Sequence, residues 1–217
     1  MNQVIEPKGL QCVSISRNMN CPYESVESGD CSVRSIQHSL GIDYVTSKFL
    51  LQGVGRKDRC GATIWQIKRA ILNYAAHTDL ILMDIKIPQE ASVYTDYLFR
   101  VGSISRDESY IVVISKHVFA IRNGICYDWS FKKKKILSFL IIKQASKFMA
   151  TDVKNLTSSE RSKLIAELSD RIAKNTFTKD VAKENCIKLL NMLSRHEPSD
   201  IEEVNKSNAA PDFNLEL

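Results

Sequence analysis

The chain has 217 residues, 44% of them apolar and 25% charged, which is enough to bury a substantial core and indicates a soluble globular protein. No run approaches the roughly 20 consecutive apolar residues of a membrane span. The first ten residues, MNQVIEPKGL, also lack the basic and apolar regions of a secretory signal. We therefore expect a cytoplasmic protein with no transmembrane segment.

Charge is distributed unevenly along the chain. Residues 1–131 carry 14 basic and 13 acidic side chains, residues 132–195 carry 15 and 6, and residues 196–217 carry 1 and 6, so the net charges are +1, +9 and −5. The basic segment favours an anionic partner at 132–195, or contact with the acidic tail, whereas solvated helix faces are the alternative. The oligomeric state is left open.

The N-terminal part of the chain predicts helices. The first 28 residues read as a loop with one short strand near 13–15. A helix is predicted to begin at Asp30 or Cys31 and to end at Gly41, because the apolar residues between them recur every three or four positions. Two more predicted helices follow, capped by Asp43 and Thr63. The stretch GVGRKDRCG between them is a basic, glycine-punctuated loop without a phosphate-binding pattern.

The middle of the chain changes to a strand pattern. LILMDIK (80–86) and YIVVI (110–114) predict strands, separated by a helix near 91–100. KHVFAIRNGICYDWS then predicts a β-hairpin, because Asn-Gly between two β-rich runs is a strong hairpin signal. Helices followed by antiparallel strands indicate an α+β fold.

Beyond Lys132 the pattern becomes helical again. A capping box at Thr157 and Glu160 begins one predicted helix, Asn175 ends it, and Thr178 caps the next. The predicted organisation is an N-terminal domain over 1–145, a basic helical hairpin over 146–195 and an acidic, disordered tail over 196–217.

Cys31 is a candidate nucleophile because it opens a predicted helix. A thiol attacks as the thiolate, and the unpaired N–H groups of a first helical turn lower the pKa of a cysteine placed there. The N–H of Cys31 would also point outward, where it could bind the oxyanion of a tetrahedral intermediate. The alternative is a buried cysteine that merely begins a helix.

The predicted hairpin supplies two partners for this thiol. With Asn123 and Gly124 at the turn, paired residues have numbers that add to 247, so His117 and Asp128 become diagonal neighbours on one face. A carboxylate at that distance fixes the tautomer of an imidazole, as a Cys-His-Asp triad requires. A purely structural histidine and aspartate are the alternative.

These residues carry a family resemblance. GDCSVRSI at 29–36 and HVFAIRNGICYDW at 117–129 resemble the papain-like cysteine peptidase superfamily. They are most similar to small phage-type members with a DCxVRAI helix and an HxxAxxxGxxxDxW hairpin. The resemblance covers roughly residues 12–131 and implies a papain-like fold in which the cysteine-bearing helix packs on the antiparallel sheet.

The resemblance also implies roles for individual residues. Cys31 would be the nucleophile, His117 the general base and then acid, and Asp128 the carboxylate that orients His117. The superfamily often adds an oxyanion side chain before the cysteine, a position that Asn18 or Asn20 could supply. A phage or other viral origin follows from the same likeness, with action in the host cytoplasm on a protein or peptide.

Several functions remain open at this stage. The leading expectation is a thiol hydrolase that cleaves an amide or isopeptide bond, but the same triad serves transamidases and deamidases. The other alternative is a non-catalytic binding or inhibitor module, whose basic helices would contact nucleic acid or a host protein. We expect no cofactor and no metal, because no pair of the six cysteines and four histidines has zinc-finger spacing.

Overall fold

The computed structural model describes residues 11–13, 22–25, 28–84, 105, 108–127 and 135–195. The chain divides into two compact units, Met1–Ala145 and Ser146–Leu217. Within the described ranges, no helix combines the length and the apolar character that crossing a bilayer requires. The predicted helix near 91–100 and the predicted tail at 196–217 lie outside those ranges.

The first unit contains helices α1 (Pro22–Ser25), α2 (Cys31–Leu40), α3 (Tyr44–Gln52) and α4 (Ile64–Ala75). The starts of α2, α3 and α4 are confirmed. The carboxylate of Asp43 accepts the Thr46 N–H at 2.8 Å at the start of α3, and a capping box of Thr63 and Gln66 starts α4. The prediction of a loop without helix before residue 28 was wrong at α1, a single turn with too few residues for a periodic signal.

The strands are β1 (Gln11–Val13), β2 (Leu80–Asp84), β3 (Ser109–Ile114), β4 (His117–Arg122), β5 (Ile125–Tyr127) and β6 (Ile136–Gln144). They form one sheet in the order β1-β5-β4-β3-β6-β2. Strand β1 is parallel to β5, and the other pairs are antiparallel. The unit is therefore a mixed α+β structure with N-terminal helices and a five-stranded antiparallel sheet that β1 extends.

The β4–β5 hairpin has the predicted register. Ala120 faces Tyr127 and Arg122 faces Ile125, and both pairs of numbers add to 247. Asn123 and Gly124 form the turn in left-handed conformations, with φ of 52° and 74°, as a two-residue hairpin loop requires.

Strand β6 corrects the prediction of helix beyond Lys132. It pairs with β3 on one side and with β2 on the other, so it lies inside the sheet. A strand between two others is largely buried, and its sequence ILSFLIIKQ is a nearly continuous apolar run. Such a run does not show the alternation that distinguishes a half-buried strand from a buried helix.

Two apolar cores hold the first unit. One contains residues of α2, α3, α4 and the sheet, namely Val33, Ile36, Tyr44, Leu51, Ile67, Ala70, Ile71, Ile111, Val118, Leu140 and Ile142. The other contains alternate residues of the strands, namely Tyr110, Val112, Ile114, Phe119, Ile121, Cys126, Ile136 and Phe139. Because successive strand residues point to opposite faces, the two cores lie on opposite sides of the sheet.

The second unit contains α5 (Ala150–Lys154), α6 (Ser158–Lys174) and α7 (Asp180–Arg195). Thr157 and Glu160 form the predicted capping box of α6, and Asn175 ends it with φ of 51°. Helix α7 begins at Asp180, one residue later than a cap at Thr178 implies. The C-terminal helices of the prediction are confirmed.

Candidate active site

The thiol of Cys31 and the imidazole of His117 lie together. Cys31 is the first residue of α2 and is half-buried, while His117 is the first residue of β4. Burial raises the pKa of the thiol. Four interactions lower it by a larger amount in total: the hydrogen bond with the His117 side chain, the N–H groups of Val118 and Ser32, and the charge of the His117 imidazolium. The net result is a pKa below the usual cysteine value, so at a given pH more of the thiol is ionised than in a free cysteine.

The apolar core fixes this approach. Val33 and Ile36 of α2 are fully buried in the same core as Val118 and Ile111 of the sheet, and Cys31 packs against that core. Because Val118 follows His117 directly, the contact that seats α2 on the sheet also sets the distance between thiol and imidazole. The geometry thus follows from core packing rather than from a mobile loop.

A buried ionic cluster lies at the start of α2, beside Cys31 in the chain. The guanidinium of Arg34 binds Glu24 through Nη2 at 2.9 Å and Asp30 through Nε at 2.9 Å. The hydroxyl of Tyr44 donates to the same Asp30 oxygen at 3.2 Å. Arg34, Glu24 and Asp30 are only 4%, 6% and 8% exposed. We call these four residues the Arg34 cluster; it ties the start of α2 to α1 and α3.

The Arg34 cluster determines how the first turn of α2 is used. Asp30 occupies the N-cap position but makes no side-chain cap hydrogen bond, since its carboxylate points to Arg34 and Tyr44. The first-turn N–H groups, which have no acceptor inside the helix, are therefore left for other partners. That of Ser32 is directed at the sulfur. The Ser35 hydroxyl donates to the Cys31 carbonyl at 2.7 Å and further fixes this turn.

The other three predicted site residues, Asp128, Asn18 and Asn20, lie outside the described residues. The strand that precedes Asp128 in the chain, β5, is among the described residues. Tyr127, the last residue of β5, stacks on His38 of α2 with 4.2 Å between ring centroids and 6° between ring planes. Helix α2 thus contacts both strands of the hairpin. His38 is half-buried.

Three further cysteines have side chains that the structure describes. Cys126 and Cys186 are buried, Cys60 is exposed, and none of them forms a disulfide. Among the described side chains, no group of three or more histidine, cysteine and acidic residues could hold a metal ion.

Only part of the positive charge of residues 132–195 lies in the region of the C-terminal helices. Residues 146–195 contain ten basic and six acidic side chains, so they account for +4 of the +9 of residues 132–195. Within the first unit, Lys143 of the same segment is buried and pairs with Glu108 at 2.8 Å. An anionic partner at 132–195 stays a prediction.

A scan of protein-family models finds none that matches the chain, and searches of curated proteins and of solved structures likewise find no match.

Proposed function

We propose that the chain is a papain-like cysteine hydrolase that cleaves an amide or isopeptide bond through an acyl-enzyme. The observation that carries the proposal is the hydrogen bond between Cys31, at the start of a buried helix, and the His117 imidazole. A nucleophile within hydrogen-bond reach of a general base is the common signature of covalent catalysis by cysteine. The pKa of the thiol is shifted downward, which is the direction that nucleophilic attack by a thiolate needs.

The first half-reaction forms the acyl-enzyme. The Cys31 thiolate attacks the carbonyl carbon, and the carbonyl electrons move to oxygen, where the N–H of Cys31 is a donor for the oxyanion. The tetrahedral intermediate then collapses, the C–N bond breaks, and the His117 imidazolium gives its proton to the departing amine. A thioester on Cys31 remains.

The second half-reaction returns the enzyme to its starting state. Neutral His117 takes a proton from water as the oxygen attacks the thioester, and collapse of this intermediate releases the carboxylic acid and the thiolate. Asp128, by its place in the motif, orients the imidazole in both steps. If an amine replaces water, the same steps give transamidation; if the substrate is a side-chain amide, they give deamidation.

The test is mass spectrometry of a proteome-derived peptide library incubated with the wild type, with Cys31→Ala and with Cys60→Ala. Cys60 is an exposed free cysteine, so its substitution is the matched control for the loss of a thiol other than that of Cys31. We expect new peptide termini with the wild type and with Cys60→Ala but not with Cys31→Ala. Acids in place of side-chain amides, or new isopeptide links, would instead identify a deamidase or a transamidase. Identical libraries in all three samples would refute the proposal and leave a binding module.

A further inference from the structure

Helix α7 carries a small cavity on the side that faces away from its buried stripe. The buried stripe consists of Ala182, Cys186, Leu189 and Leu193. The cavity has a volume of about 350 Å³ and is lined by Lys188, Asn191, Met192 and Arg195. At about 100° per residue, these four positions share one side of the helix. We call this the α7 cavity; its volume is within the range of about 300–1,000 Å³ that small-molecule sites have.

The α7 cavity is positively charged. Lys188 and Arg195 are both exposed, and among the described residues neither side chain forms an ion pair or a hydrogen bond. The described residues that line the cavity include no acid. The nearest acid along this side of the helix is Glu184, which precedes Lys188 by one turn and is itself exposed. The two cations therefore present a charge of +2 that no described carboxylate pairs with.

The lining side chains supply several donors for one anion. The Cα atoms of Lys188 and Arg195 are about 10.5 Å apart along the axis of α7, and Asn191 lies between them. A guanidinium donates two parallel hydrogen bonds to one oxyanion, an ammonium acts as a point charge, and an amide adds two N–H donors. Met192 adds an apolar, adaptable surface to the same cavity. The cavity thus combines three polar groups for an anion with a contact for a carbon skeleton.

We propose that the α7 cavity binds an organic phosphate monoester, with its phosphate held by Lys188, Asn191 and Arg195 and its carbon part on Met192. A phosphate monoester carries a charge of about −1.5 to −2 at pH 7 and has three strong acceptor oxygens. This charge and these acceptors match two cations and an amide. The inference is independent of the proposed function, because it concerns the second unit alone.

Two other kinds of anion match the cavity less well. A single carboxylate has one charge and would leave one of the two cations without a counter-charge. A nucleic-acid backbone that followed α7 toward its N-terminus would meet the carboxylate of Glu184, which repels phosphates. A compact dianion meets neither difficulty.

The first experiment compares phenyl phosphate with phenyl sulfate, which has nearly the same shape but only one negative charge. Dissociation constants are measured at about pH 7.5, where the phosphate is mostly dianionic, from the NMR shifts of backbone amides and of the Met192 methyl group in the full chain. The variant is Lys188→Gln with Arg195→Gln, at exposed positions where glutamine preserves the helix. Lys154→Gln with Lys163→Gln, on exposed positions of α5 and α6, gives the same change in net charge and is the matched control.

We expect phenyl phosphate to shift the amides of residues 188–195 and to bind the cavity variant about tenfold more weakly than the wild type at low ionic strength. The control variant should retain the wild-type dissociation constant. Phenyl sulfate should bind the wild type about fivefold more weakly than phenyl phosphate does. An unchanged dissociation constant in the cavity variant, equal binding of the two phenyl compounds, or the absence of shifts in α7 would overturn the proposal.

A second experiment identifies the source of the phosphate. Free phosphotyrosine and a peptide in which phosphotyrosine is flanked by glycines are titrated in the same way. Tighter binding of the peptide assigns a phosphorylated protein as the ligand, and equal binding assigns a free phosphate monoester; both results support the proposal. Tighter binding at α7 of a single-stranded oligonucleotide without a terminal phosphate would replace the phosphate monoester by a nucleic acid and overturn the proposal.

Discussion

Replacing Arg34 by Met tests whether the Arg34 cluster fixes the start of α2. The substitution removes the cation between Glu24 and Asp30, whose carboxylates are 6% and 8% exposed. Two carboxylates then stay buried without the guanidinium that binds both of them at 2.9 Å. Loss of one partner of a buried ion pair costs about 3–5 kcal/mol, and we expect the free energy of unfolding to fall by that amount.

Two matched variants separate charge from geometry. Arg34→Lys keeps the charge but not the fork that reaches two carboxylates, so we expect a smaller loss of about 1–3 kcal/mol. Tyr44→Phe keeps the ring and removes the 3.2 Å hydrogen bond to Asp30, and should cost about 1 kcal/mol. The expected order of destabilisation is therefore Arg34→Met, then Arg34→Lys, then Tyr44→Phe.

The assay is urea unfolding of the full chain followed by circular dichroism, with hydrogen exchange of the α2 amides to assign the transition to the first unit. Alkylation of Cys31 is measured on the same samples in native buffer. A loss below about 1 kcal/mol for Arg34→Met, or a loss no larger than that of Tyr44→Phe, would refute the reasoning, because it would mean that the carboxylates find water or another cation.

Three further predictions concern the pH response, the core and the second unit. Burial lowers the pKa of His38, aided by the charges of Arg34 and Arg122, so the wild type should lose stability as the pH falls below about 6.5. His38→Phe, which keeps a ring to stack on β5, should lose less between about pH 7 and 5 in urea unfolding; equal losses would contradict the assignment. Ile111→Ala, at a fully buried position, should cost about 2–5 kcal/mol by the same method, and a cost near zero would place that side chain outside the core. Thr157→Ala removes the capping box of α6 and should cost about 1 kcal/mol, measured as a loss of protection in the first turn of α6; unchanged protection would show that the cap is dispensable.

The sequence predicted the elements whose ends carry local chemical signals. Asp43 and Thr63 have side chains that satisfy first-turn N–H groups, so the starts of α3 and α4 could be read from short-range chemistry alone. The Asn123-Gly124 turn fixed the hairpin register for the same reason, since few residues tolerate two successive left-handed conformations.

Strand β6 and the Arg34 cluster could not be predicted in this way. The apolar run of β6 is explained only by the two strands that flank it, which lie far away in the sequence. Asp30 and Arg34 are four residues apart, a spacing typical of exposed helix pairs. Their burial depends on Glu24 and Tyr44, which no periodicity links to them. Ser32 to Ile36 are all buried, so α2 is covered on more than one face. A sequence pattern that looks for one apolar face does not reveal this.

The most direct test of the account is the pH dependence of iodoacetamide modification of Cys31 in the wild type and in His117→Ala. His77→Ala, an exposed histidine after α4, is the matched control. We predict a rate midpoint below the usual cysteine pKa of about 8.5 in the wild type and in the control. We predict a higher midpoint in His117→Ala, because burial then raises the pKa without the imidazole to oppose it. The same midpoint in all three proteins would contradict the claim that His117 activates Cys31.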